Sequence, residues 1–186
     1  MRKLLFALLF LALLAGVTYL RGGNSVPSPP TERETVIEVT GLVENSYNMT
    51  LEELKALPSV NVSAPLYCVD NPKVPRKNGT WKGVPLKTLL EKAKPKSGAF
   101  KVAFHASDGY TTDLHLLTAM NDESIIIAYE FNGEPISPRL VVPGRWGYKW
   151  IKYLTKIELV SYNFLGTWES AGYPDDAYID EIEGAS

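Results

Sequence analysis

From Thr35 to Val43 (TVIEVTGLV) apolar and polar residues alternate, the spacing of a half-buried strand whose successive side chains point to opposite faces. Thr50-Leu51-Glu52-Glu53 then has the form of a capping box, a hydroxyl and a carboxylate placed to satisfy the free amides of a helix start. The short helix it opens carries Leu51, Leu54 and Leu57 on one side, and Pro58 stops it. Val60 to Val69 reads as an extended segment containing Cys68, and Asp70 to Trp81 as a loop. Val84 to Ala93 sets Leu86, Leu89, Leu90 and Ala93 on one helical face, with Pro85 in the first turn. Phe100 to Ala106 is a strand followed by the turn residues Asp108-Gly109, and Leu114 to Met120 a short helix. Ile125 to Phe131 is a buried strand closed by Asn132-Gly133, a strong hairpin signal. Arg139 to Val142 and Trp150 to Val160 are further strands, and after Gly166 the chain reads as an acidic loop. The count comes to about seven strands and two or three short helices, with no alternation of strands and long helices. That pattern predicts an α+β domain with a mixed sheet rather than a doubly wound one.

The first residues have a different character. Arg2 and Lys3 precede an apolar run from Leu4 to Leu20, the layout of a secretory signal or a membrane anchor. Between these two the sequence does not choose. Residues 1–21 are therefore expected to target the chain out of the cytoplasm, secreted or membrane-anchored. Residues 22–34, rich in Gly, Ser and Pro, are expected to form a flexible linker. The folded domain is expected at residues 35–175, with an acidic tail at 176–186. Sequons at Asn48, Asn61 and Asn78 accord with export.

Charge narrows the function. A formal net charge of −2 lacks the basic excess that nucleic-acid binding needs, so no nucleic-acid partner is expected. Dinucleotide and phosphate-loop glycine motifs and the nucleophile elbow are missing, and the two histidines, His105 and His115, match no zinc spacing. The one cysteine, Cys68, cannot form an internal disulfide. It is either a small buried hydrophobe or a liganding thiol. The basic loop that follows it, with Lys73, Arg76, Lys77 and Lys82, favours the thiolate if it is more than a solvated surface. The stretch from Arg139 to Trp150 combines glycines at Gly144 and Gly147 with the cations Arg139 and Lys149, which suits an anion site or a glycine-rich hairpin.

Six pieces occur in the order of one family. They are Tyr67-Cys68-Val69, the Trp81-x-Gly83-Val84-Pro85-Leu86 stretch, Ser107-Asp108-Gly109-Tyr110, and Ala128-Tyr129-Glu130-x-Asn132-Gly133-Glu134-Pro135. Arg139-Leu140-Val141-Val142-Pro143-Gly144 with Gly147-Tyr148-Lys149, and Gly166-x-Trp168-Glu169, complete the set. The chain thus resembles the molybdopterin-binding domain of sulfite oxidases and periplasmic methionine sulfoxide reductases. The resemblance implies a single mixed-sheet α+β domain and a molybdopterin cofactor carrying molybdenum or tungsten. It implies Cys68 as the metal ligand, and Ser107, Arg139, Gly147, Tyr148 and Lys149 as cofactor contacts. Arg76 and Lys77 are then the candidates for drawing in a small oxyanion or sulfoxide substrate. With no haem or iron–sulfur site of its own, the chain would exchange electrons with a separate partner. The alternative is a cofactor-free extracellular binding module on the same fold.

Overall fold

The computed structural model describes residues 36–179, so the expected signal or anchor, the linker and most of the acidic tail lie outside the described residues. The described chain belongs to one compact unit. Nine strands form two sheets, where the sequence suggested one. The first has the order β2 (Tyr47–Thr50), β1 (Val36–Gly41), β9 (Leu154–Val160), β5 (Lys101–Ala106), β6 (Thr111–His115). It is mixed, because β1 and β9 run parallel while the other pairs are antiparallel. A parallel pair cannot be closed by a tight turn, and nearly the whole domain lies between these two strands. The second sheet is antiparallel, in the order β3 (Val60–Leu66), β4 (Lys77–Pro85), β7 (Ile126–Phe131), β8 (Glu134–Val141).

One core serves both sheets. Ile37, Val39, Phe104, Ile157 and Leu159 of the first join Trp81, Val84, Ile126, Ile127 and Leu140 of the second. The continuous apolar run of the sequence becomes β7, which is paired on both sides. It turns into β8 at Asn132 and Gly133, whose φ of 50° and 85° are the left-handed pair a two-residue hairpin requires. The expected capping box is present at the start of α1 (Leu51–Lys55), with both reciprocal bonds between Thr50 and Glu53. Helix α2 (Leu86–Ala93) sets Leu86, Leu89, Leu90 and Ala93 at full burial, where each leucine contributes about 1.5–3 kcal/mol. Pro85 is its cap residue rather than its first turn. Among the described residues no helix is long and apolar enough to cross a membrane.

Three elements differ from the sequence pattern. Strand β4 already begins at Lys77, inside the expected loop, because residues 77–80 pair with β3. Thr111–His115 is strand β6, and the helix expected from Leu114 starts at Leu116 as α3 (Leu116–Asn121). The expected strand from Trp150 begins only at Leu154, after a 3-10 turn, η1 (Gly147–Lys149). Past the last strand the described chain is mostly exposed, with single residues turned inward. It forms the turn η2 (Glu169–Ala171), and Ala177 is fully buried.

Candidate functional site

Cys68 lies just past the end of β3, in a loop whose shape is set by backbone bonds. The Asn71 amide donates to the Cys68 carbonyl at 3.1 Å, and the Arg76 amide returns to the Leu66 carbonyl at 2.8 Å. The Arg76 guanidinium folds over this loop onto the Asp70 carboxylate at 2.9 Å. Asp70 first, and then Cys68, hold that guanidinium above its ordinary basicity. On the other side, the Gly147 amide donates to the Tyr67 carbonyl at 2.7 Å. A Cβ at Gly147 would meet that carbonyl oxygen at 2.6 Å, so this position needs glycine for close approach. The turn η1 is thereby pressed against the strand end that presents the thiol.

The half-buried thiol opens into a cavity of about 210 Å³ lined by Cys68, Val69, Asp70, Tyr148 and Trp168. Its aromatic walls belong to a small second cluster of Trp146, Tyr148 and Ala177, packed with Tyr67, Val69, Trp168 and Ile179. The Tyr148 and Trp168 rings stack at 6.3 Å between centroids, and Tyr173 meets Trp168 edge-on at 4.7 Å. The Tyr148 hydroxyl donates to the Pro174 carbonyl at 2.7 Å.

A second cavity, also about 210 Å³, is lined by Lys77, Ile136, Ser137, Arg139, Lys152 and Tyr153. Three cations face it. Arg139 extends from β8 with its Nε donating to the Trp150 carbonyl at 3.1 Å. Burial pulls the Arg139 guanidinium below its ordinary basicity, partly offset by the nearby Cys68 and Tyr153. Cys68 is thus felt by two guanidiniums, Arg76 and Arg139. Ser107 is exposed in the turn after β5, and its amide donates to the carbonyl of Tyr153, a wall of this cavity.

Lys149 takes a different course from its neighbours. Its ammonium is fully buried and bonds Glu169 Oε1 at 2.7 Å, the Asp113 carbonyl at 3.1 Å and Asp175 Oδ1 at 3.4 Å. Lys101, also fully buried, bonds Asp113 at 2.9 Å and Asp175 at 2.6 Å. Burial pulls the Lys101 ammonium down, but the bonds from Asp175 and Asp113 outweigh it and leave it raised.

The expected site residues therefore fall into three places. Cys68 and Tyr148 share one cavity, with Arg76 at its loop. Arg139 and Lys77 share the other, with Ser107 behind Tyr153. Gly147 supports the thiol loop, and Lys149 points into a carboxylate cluster. Sequence reasoning did not single out Trp168, Lys152 or Tyr153 as site residues. Lys152 had a weak signal, as a cation three residues past Lys149 in the same glycine-containing stretch.

The family model described as the oxidoreductase molybdopterin binding domain matches residues 24–168. The chain belongs to that family. The uncharacterized oxidoreductase YuiH of Bacillus subtilis is 34% identical over 143 residues, which cover 74% of this chain and 71% of the relative. A protein named as the protein-methionine-sulfoxide reductase subunit YedZ1, of Azospira oryzae, is 31% identical, with 74% of this chain and 53% of the relative covered. Sulfite oxidase of Arabidopsis thaliana is 25% identical, covering 90% of this chain and 53% of the relative. The sulfane dehydrogenase SoxCD of Paracoccus pantotrophus has the same fold, with a TM-score of 0.66 at 22% identity over 73% of this chain and 40% of that one. This member of the family thus spans about half the length of the reductase subunit and the sulfite oxidase.

The cofactor of this oxidoreductase family is molybdopterin with its metal. The residues present fit that group. Among the described residues no three His, Cys, Asp or Glu converge to hold a metal alone. One thiol suits a metal whose other sulfur ligands arrive with the pterin. The cations Lys77, Arg139 and Lys152 around the neighbouring cavity suit an anionic, phosphate-bearing cofactor.

Proposed function

We propose that this chain is the molybdopterin-binding part of an exported oxidoreductase that transfers an oxygen atom to or from a small substrate, with Cys68 as the protein ligand of the metal. The observation that carries this reading is the placement of the only cysteine, between an aromatic-walled cavity and the guanidiniums of Arg76 and Arg139. When bound, the cofactor supplies a two-electron redox centre for oxygen-atom transfer. The chain's own residues do the rest. Cys68 anchors the metal as thiolate. Lys77, Arg139 and Lys152 hold the anionic pterin end, with the Ser107 turn packed behind Tyr153. Tyr148 and Trp168 narrow the approach to the thiol side and exclude water.

Between the two substrate classes, the cavity favours the sulfoxide. Val69, Tyr148 and Trp168 offer apolar walls to an organic flank, and the Arg76 charge at the loop is already matched by Asp70, which leaves less for a bare oxyanion. Arg76, half-exposed at the same loop and paired with Asp70, keeps further guanidinium N–H groups as hydrogen-bond donors. Electrons come from or go to a separate partner. Export through the N-terminal segment accords with the sequence pattern of residues 1–21.

The test is the metal and pterin content of the protein isolated from its native host. About one molybdenum or tungsten per chain, lost in Cys68→Ser, is the expected result. Native protein with neither metal nor pterin overturns the proposal and leaves a binding module on this fold.

A further inference from the structure

Residues 166–176 follow the last strand and carry several carboxylates, which a surface segment would leave in water. Here two of them are turned inward. The Glu169 side chain is fully buried, with Oε1 accepting from Lys149 at 2.7 Å and from the Thr112 hydroxyl at 2.7 Å. Its Oε2 is buried with no hydrogen-bond partner among the described residues. An unpaired buried carboxylate oxygen is costly and persists only where the surroundings fix the group. Asp175, at the far end of the segment, bonds Lys101 at 2.6 Å and Lys149 at 3.4 Å. Asp113 of β6 ties both lysines to the segment start, since its Oδ2 accepts from the Gly166 amide at 3.2 Å. The segment is thus pinned at Gly166, Glu169 and Asp175, and Trp168 lies between the first two pins. Its ring faces the Cys68 cavity and is backed by Tyr173.

We infer that Glu169 and Asp175 are positioning residues: by clamping Lys149 and Lys101 they hold the Trp168 ring as the outer wall of the Cys68 cavity, and so set the size of the group admitted to the thiol. The consequence for substrates rests on the reading of that cavity as the substrate site. The placement of the wall does not. Neutralising either carboxylate loosens a pin without touching Trp168, Tyr148 or the thiol. The pairing is charge-assisted and water-excluded, so its loss is transmitted to the ring rather than absorbed by solvent.

The chain is well suited to a direct test. Trp81, Trp146 and Trp150 are 0–1% exposed, so Trp168 supplies the emission that a collisional quencher can reach. Glu169→Gln and Asp175→Asn are compared with the wild-type full chain by acrylamide quenching, with circular dichroism to establish folding. The quenching constant is expected to rise about two-fold or more in each variant, with a red-shifted emission, while Glu169→Asp lies closer to wild type. Asp175→Asn, at a partly exposed position, serves as the readout if Glu169→Gln does not fold. A folded variant with wild-type quenching overturns the inference. In protein that carries metal and pterin, a graded series from dimethyl sulfoxide to a bulky aryl sulfoxide is then assayed with a reduced viologen dye as the electron donor. Glu169→Gln is expected to change KM and relax the size preference with kcat for the smallest substrate retained. A uniform fall in kcat with unchanged KM overturns it as well. Protein without metal or pterin sinks the proposed oxidoreductase activity, and the quenching still decides the position of the wall.

Discussion

Lys149 belongs to the turn that the family resemblance assigns to cofactor contact, yet its ammonium is enclosed by Glu169, Asp113 and Asp175. The two roles give opposite expectations for Lys149→Met. Methionine keeps the volume and removes the charge. As a clamp, Lys149 leaves behind Glu169, a fully buried carboxylate whose other partner among the described residues is the Thr112 hydroxyl. Breaking a buried ion pair in this way costs about 3–5 kcal/mol, because one charge stays in a medium that solvates it poorly. For a domain of about 140–150 residues the unfolding entropy is about 0.3 kcal/mol per degree, so Tm falls by about 10–17 °C. Urea unfolding followed by far-UV circular dichroism measures the loss directly, with an unchanged m value as the sign that only stability moved. The double variant Lys149→Met with Glu169→Leu removes both charges and is expected to recover a substantial part of the loss. A cost below about 1 kcal/mol in the single variant refutes the clamp, since an exposed, ligand-facing lysine contributes no more than that. Loss of pterin at full stability would assign Lys149 to the cofactor instead.

Two further outcomes follow from the same packing. Burial pushes the Asp113 carboxyl from 3.8 up to about 6, so between those values the folded chain keeps a proton that the unfolded chain has released. The contribution of Asp113 to stability therefore falls as pH rises from about 4 to about 6, while Asp175, held low by its lysine bonds, loses its contribution only as pH drops below its ordinary value. Asp113→Asn is expected to remove the decline over that interval in urea titrations, and a variant that tracks the wild-type profile refutes the assignment. Gly147→Ala places a Cβ at 2.6 Å from the Tyr67 carbonyl oxygen. The strand end must shift, at a cost of about 1–3 kcal/mol, and metal content is expected to fall although Cys68 itself is intact; full metal occupancy in a destabilised variant would show that the thiol loop is positioned independently of this turn.

Much of the fold was legible because the signals were local. The capping box at Thr50, the leucine face of α2 and the left-handed pair at Asn132-Gly133 each depend on residues a few positions apart. Cys68 stood out as a candidate for another reason, being the single cysteine of the chain beside a basic loop, and the structure opens it to a cavity. Strand β6 was not, because Thr111-Thr112-Asp113 has no apolar alternation. Its buried Thr112 and Asp113 are polar, and they are held there by Lys101, Lys149, Glu169 and the Gly166 amide.

The same cause hid the aromatic wall. From Gly166 onward the sequence shows many acids and small residues with a few scattered aromatics, which as a composition describe an acidic loop. Whether a carboxylate is solvated or clamped depends on where the cations are, and these come from β5 and from η1, far away along the chain. Composition carries no information about such pairings, whereas hydrophobic periodicity reports burial from within each element. Buried charge is thus the part of this fold that only the three-dimensional arrangement reveals, and it lies beside the cavity at Cys68. A thiol site enclosed by a segment held through ion pairs can change its walls by single neutral substitutions, without repacking the shared core of the two sheets. Variation in residues 166–176 is therefore expected to alter the size of the group admitted to that cavity more readily than variation in the two sheets.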